Sequence, residues 1–219
     1  MNKSILNVAL SVSLLTLVTL ACALPSIPGL SSPSDGSLYR DDFSDSSSGW
    51  GTGTDSDSAV EYGDGGLKMD VFTPNFFVYS TPNVEDYENI HVEVSAQNNS
   101  TDPTVGFGII CHQQVTNSAF YYFGIQPDGA YAIAKAAIAK DDELLAHGTS
   151  DLIPRNASTY RVGVDCGNGT LTLYVNSQKI DSTSDTAYTK GHAALFTWSG
   201  EQSSGSNVIY DDFVITPLQ

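Results

Sequence analysis

The stretch Thr159–Ile180, TYRVGVDCGNGTLTLYVNSQKI, decides how the rest of the chain is read. Tyr160, Val162, Val164 and Cys166 share one face, and Thr159, Arg161, Gly163 and Asp165 the other. Past the turn, Leu171, Leu173 and Val175 alternate with Thr170, Thr172, Tyr174 and Asn176. A period of two with one apolar face is the pattern of half-buried antiparallel strands. Asn168-Gly169 supplies two residues that tolerate positive φ, as a tight hairpin turn requires. Asn176-Ser177 then turns the chain again into Gln178–Ile180.

The same alternation extends outward in both directions. Upstream, expected strands cover Ala59–Tyr62, Leu67–Phe72, Phe76–Ser80, Ile90–Gln97, Thr104–His112, Ala119–Gln126 and Ala130–Ala136. Downstream they cover Gly191–Trp198 and Asn207–Thr216. Residues 134–146, AKAAIAKDDELLA, have helical propensity, but Asp141-Asp142 falls where a hairpin should turn. Strand–turn–strand is the preferred reading there. Many short strands between turn signals, with no strong helix, indicate an all-β, two-sheet antiparallel sandwich of the jelly-roll type. Tyr39-Arg40-Asp41-Asp42-Phe43 echoes Tyr210-Asp211-Asp212-Phe213, which suggests that the first and last strands lie side by side.

At 219 residues, with 41% hydrophobic and 10% aromatic residues, one β-rich domain plus a targeting segment fits the chain. Nine Lys+Arg against 25 Asp+Glu leave a formal charge of −16, which argues against a nucleic-acid partner. Lys3 and the apolar run Ile5–Leu20 read as a signal peptide over residues 1–21, too short and polar for a spanning helix. Val18-Thr19-Leu20-Ala21-Cys22 resembles a bacterial lipobox. That resemblance implies cleavage after Ala21 and a lipid on Cys22, holding an exported protein at the cell surface; ordinary secretory cleavage nearby is the alternative. Residues 22–37 form a Pro/Ser/Gly linker, and 38–219 the sandwich. With Cys22 lipidated, Cys111 and Cys166 remain, and a disulfide between them is expected in an oxidising compartment. Two buried free thiols are the alternative.

Several segments resemble the concanavalin A-like superfamily, in particular the laminin-G-like jelly rolls of bacterial surface proteins. They are DDFSDSSSGW (41–50), GFGIIC (106–111), FYYFGI (120–125) before Asp128-Gly129, LTLYVNSQKI (171–180) and YDDFVI (210–215). The resemblance implies a two-sheet sandwich, often carbohydrate-associated, in some members binding structural calcium. In others it is adhesive, and glycoside hydrolases share it.

No catalytic residues are identified. The family-16 Glu-x-Asp-x-x-Glu pattern is absent, and His91-Val92-Glu93 and Asp141-Asp142-Glu143 are poor substitutes. There is no Gly-x-Ser-x-Gly, His-Glu-x-x-His, Cys-x-x-Cys or phosphate loop. His91, His112, His147 and His192 are scattered. Calcium at Asp41, Asp42, Asp211 and Asp212 is conceivable if the terminal strands pair, against simple exposure of those carboxylates. Asp55 and Asp57 lie in a Ser/Gly loop without an EF-hand pattern, and Asn98, Asn99, Asn156 and Asn168 open sequons of little weight beside a lipobox.

If Cys111 and Cys166 face the core, alternation sends His112, Phe120, Tyr122, Arg161 and Tyr174 to an outer sheet face. That aromatic and charged surface is the candidate ligand face, unless a covering loop buries it. Trp50 and Trp198 are assigned to core or loop packing. The expected function is a membrane-anchored surface lipoprotein with a non-catalytic module binding a glycan or cell-envelope polymer. A glycoside hydrolase-like enzyme and a structural, adhesive module without a small ligand are the alternatives.

Overall fold

The computed structural model describes residues 36–82, 85–114, 118–137, 139–201 and 205–218. The proposed signal peptide, Cys22 and most of the linker lie outside them. The organising hairpin forms as its alternation requires. Strand β11 (Thr159–Gly167) pairs with β12 (Thr170–Val175), placing Val162 opposite Val175 and Cys166 opposite Leu171. Both turn residues have positive φ, 53° at Asn168 and 72° at Gly169. Tyr160, Val162, Val164 and Cys166 are fully buried, as are Leu173 and Val175.

The remaining strands are β1 (Tyr39–Asp41), β2 (Gly53–Thr54), β3 (Ser58–Gly63), β4 (Gly66–Val71), β5 (Phe77–Ser80), β6 (Ile90–Asn98) and β7 (Gly106–Gln114). They continue as β8 (Ala119–Ile125), β9 (Ala130–Ala136), β10 (Glu143–Thr149), β13 (Gln178–Ser184), β14 (His192–Trp198) and β15 (Ser206–Pro217). Residues 134–146 therefore divide between β9 and β10, and no helix occurs among the described residues.

One sheet of nine strands runs β13-β12-β11-β6-β15-β4-β3-β2, with β1 also on β15. The other, of six strands, runs β10-β9-β8-β7-β14-β5. All pairings are antiparallel. The termini meet as their echo suggested: Asp41 faces Phe213 and Tyr39 faces Ile215. The core lies between the sheets. Val92, Val94, Tyr160, Val164, Leu173 and Tyr210 come from one side, and Phe107, Ile109, Tyr121, Phe123, Ile133 and Leu195 from the other. Burying a side chain of this size contributes roughly 1.5–3 kcal/mol, so this layer carries most of the driving force.

A disulfide between Cys111 of β7 and Cys166 of β11 crosses that layer, joining residues 55 apart in sequence. Trp50 is also in the core, edge-on to Phe213 with ring centroids 5.0 Å apart and beside Phe43 at 5.2 Å. Its indole N–H donates to the buried carboxylate of Asp41 at 2.9 Å.

Candidate functional site: an aromatic groove on the six-stranded sheet

On β8 the inward residues are Tyr121, Phe123 and Ile125, so Phe120, Tyr122 and Gly124 face outward. On β7, Gly106, Gly108 and Ile110 face outward, and on β14, Ala194, Phe196 and Trp198. The registers then line up small residues. Gly108 of β7 faces Gly124 of β8, which faces Ala132 of β9, and Gly106 faces Trp198. A strand position without a side chain leaves a hollow in a sheet surface. Here the hollow takes aromatic rings lying across it. A Cβ on Gly124 would come within 3.2 Å of the tip of Phe196, and one on Gly106 within 3.3 Å of the Trp198 indole.

The result is a groove of about 550 Å³, floored by Gly106, Gly124, Ala130 and Ala132 and walled by Phe77, Phe120, Tyr122, Phe196 and Trp198. Phe77, from edge strand β5, stacks on Phe196 with centroids 4.7 Å apart and planes 17° apart. It also reaches Phe120 at 6.2 Å and Tyr122 at 6.0 Å. Tyr79 closes the cluster at 6.2 Å from Phe120 and is 42% exposed. Phe77, Phe120, Tyr122 and Phe196 form a second hydrophobic cluster with Ile110, Ala136 and Ala194, separate from the inter-sheet core. Polar groups sit at the margins: Asn75, Gln126 and Asp142. The Tyr122 hydroxyl donates to Asp142 Oδ2 at 3.0 Å, and burial beside that carboxylate pushes the phenol up.

The backbone of this groove is held from inside. Tyr210, wholly buried on β15 of the opposite sheet, accepts from the Gly108 N–H at 3.2 Å and donates to the Phe196 carbonyl. One core phenol thereby ties the backbones of β7 and β14 together behind the groove.

Of the five residues expected on one face, only Phe120 and Tyr122 are in this groove. Cys111 and Cys166 lie on different sheets, so the outward neighbours of one point away from those of the other. Arg161 and Tyr174 are on the outer face of the nine-stranded sheet, the far side of the molecule. There the Arg161 guanidinium pairs with Glu93 at 3.2 Å and donates to the Asp212 carbonyl. His91 Nδ1 lies 2.6 Å from Asp165 Oδ1, and its Nε2 lies 3.3 Å from Glu93. Tyr174 donates to Asp165 at 2.8 Å, and burial with that bond pushes its phenol up to about 12.

His112 is on neither face. A bulge in β7, with φ of 50° at His112, swings the side chain inward. It is 2% exposed and its two ring nitrogens lie 3.0 Å from the Tyr188 carbonyl and 2.7 Å from that of Glu88. Burial pushes its imidazole down, against the upward pull of those carbonyls. It pins the 185–191 connection and is a positioning residue for that loop.

The four aspartates proposed for calcium lie where the first and last strands pair. Asp41 is buried and accepts from the Phe43 amide, the Tyr39 hydroxyl and the Trp50 indole. Asp42 accepts from the hydroxyl and amide of Ser44, which hold its carboxyl below the usual range. Asp211 accepts from the Asp212 amide, and burial with the charges of Asp212 and Asp42 pushes it up. Among the described residues, no group of three or more His, Cys, Asp or Glu is placed to hold a metal ion.

Sequence reasoning missed Phe77, Phe196 and Trp198 as groove residues. The available signal was the glycine pair, one on each of two successive strands, with an aromatic two residues from Trp198.

No family model matches the sequence, and no curated protein matches it. Solved structures do resemble the fold. The carbohydrate-binding module CBM66 of Bacillus subtilis matches with a TM-score of 0.62 at 9% identity, covering 77% of this chain and 96% of that one. A Bacillus subtilis protein of unknown function with a galectin-like fold gives 0.64 at 14% identity, over 83% and 96%. The Bacillus licheniformis β-glucanase gives 0.58 at 12%, over 84% and 99%. These likenesses show the fold, a two-sheet jelly-roll sandwich.

Proposed function

We propose that this chain is an exported lipoprotein, anchored through Cys22 at the bacterial cell surface, whose sandwich binds a glycan or cell-envelope polymer without turning it over. The observation that carries the binding role is the groove itself. An open apolar trough lined by six aromatic side chains, with polar groups at its margins, suits the apolar faces and peripheral hydroxyls of sugar rings. From Phe120 to Gln126 the β8 wall is ~20 Å long, room for several sugar rings rather than one. Among the structural neighbours are a carbohydrate-binding module and a Bacteroides ovatus family-16 protein in complex with a glucan product, which favours a saccharide as occupant.

The absence of turnover rests on where the carboxylates are. Glu93 and Asp165 lie across the molecule from the groove, bridged by His91 and engaged by Arg161 and Tyr174. Among the described residues the groove is lined by one carboxylate, Asp142, whereas glycoside hydrolysis of the usual kind takes two.

A saccharide-binding screen of the protein, with calcium and with chelator, tests the reading. A specific hit that Phe196→Ala weakens supports it. A blank across the screen favours the adhesive, ligand-free alternative, and release of reducing ends favours the enzyme. The anchor is tested separately, since Cys22→Ser should free the protein from membranes.

A further inference from the structure

We infer that the groove selects saccharide chains carrying free amino groups, and that Asp142 is the residue that sets this selection. The inference rests on the groove being the glycan site proposed above. Among the described residues, Asp142 is the one charged side chain that lines the groove. It is exposed, and its hydrogen bond among the described residues comes from Tyr122, through Oδ2. Its other oxygen therefore faces no described donor. The carboxylate stands at the edge of an aromatic surface, with the Tyr122 ring 5.6 Å from Phe196 and 6.3 Å from Phe120. A carboxylate at the rim of an aromatic-lined groove is the combination that attracts an ammonium group, by ion pairing and by the negative faces of the rings.

The cations that could offset Asp142 are committed elsewhere or outside the groove. Lys135 is held by Asp185 at 2.9 Å and Glu143 at 3.0 Å. Arg161 and Lys68 pair with carboxylates on the outer face of the other sheet. Lys140, two residues before Asp142, is exposed and does not line the groove. A formal charge of −16 over the whole chain adds a long-range field that draws polycations in and turns polyanions away. Hexose rings satisfy the aromatic walls, and an amino substituent satisfies Asp142.

The test uses the full-length protein in detergent micelles and three length-matched oligosaccharides: glucosamine, N-acetylglucosamine and galacturonic acid oligomers. The amine form should bind at least about tenfold tighter than the acetylated form at low ionic strength, a difference of ~1.4 kcal/mol. High salt should shrink that gap. Asp142→Asn should abolish that gap, bringing the affinity for the amine oligomer down to that for the acetylated one. Equal binding of amine and acetylated forms, or tighter binding of the acid, overturns the charge selection while leaving the groove as the site, provided Phe196→Ala still weakens it. No binding of any of the three, or binding indifferent to Phe196→Ala, overturns the glycan reading and the selection with it.

Discussion

Cys111 and Cys166 join the middle of the six-stranded sheet to an interior strand of the nine-stranded sheet. The bond is the one covalent tie across the core among the described residues. Closing a loop of 55 residues removes unfolded-chain entropy worth about 4 kcal/mol at 25 °C. Replacing both cysteines with alanine should lower the urea midpoint by a corresponding amount and leave the far-ultraviolet spectrum that of a β protein. Intact mass of the exported protein should be two hydrogens short of the reduced value.

Gly108 and Gly124 should respond differently to the same change. A Cβ on Gly108 would lie within the van der Waals envelope of the Phe123 carbonyl, which cannot move without breaking the β7–β8 ladder. Gly108→Ala should therefore cost about 3 kcal/mol, at the upper end for overpacking. On Gly124 the obstacle is the far tip of the Phe196 ring, which can swing away. Gly124→Ala should cost less than about 1 kcal/mol and reshape the groove, so that saccharide binding falls more than stability does.

Asp41→Ala should destabilise the protein by about 3 kcal/mol, since it strands the Trp50 indole and the Phe43 amide in the interior. Asp41→Asn keeps an acceptor and should cost less. Tryptophan fluorescence during urea unfolding reads both.

Acid should weaken the hold on the 185–191 loop. Burial pushes the Asp185 carboxyl up, but the Tyr121 hydroxyl, Lys135 and the Ala187 amide outweigh it and hold it below the usual carboxylate range. Because the folded carboxyl is the stronger acid, its contribution is present above the unfolded value and is lost as pH falls through the folded one. Stability should therefore drop below about pH 4, and Asp185→Asn should flatten that part of the curve. A wild-type curve that the variant reproduces at every pH would remove Asp185 from the account.

The two outer faces give opposite expectations for ligand binding. Phe77→Ala and Phe196→Ala should each weaken saccharide binding by at least ~1 kcal/mol, the scale of an interface aromatic. Tyr174→Ala should leave it unchanged. Isothermal titration of the three variants separates the faces, and a loss confined to Tyr174→Ala would move the site to the nine-stranded sheet.

Alternation made the strands legible from residue order alone. Period two at Tyr160–Cys166 and Leu171–Val175 specified which side chains go inward, and Asn168-Gly169 specified where the hairpin turns. The echo between Tyr39–Phe43 and Tyr210–Phe213 was enough to pair the ends. The candidate site was half legible. Phe120 and Tyr122 were visible as outward aromatics, but Arg161 and Tyr174 were grouped with them because two inward cysteines say nothing of which sheet each belongs to.

Local order thus determined strand positions, turn chemistry, inward faces and the two cysteines available to pair. Tertiary structure decided which strands share a sheet: β6 lies between β11 and β15, far from both in sequence, and β14 between β7 and β5. It also decided that a β5 ring stacks on Phe196, that a bulge turns His112 inward, and that the Asp41 carboxylate accepts from the Trp50 indole. The physical reason is that a period of two depends only on neighbours along the chain. Sheet membership depends on which remote edges find each other while burying the same core.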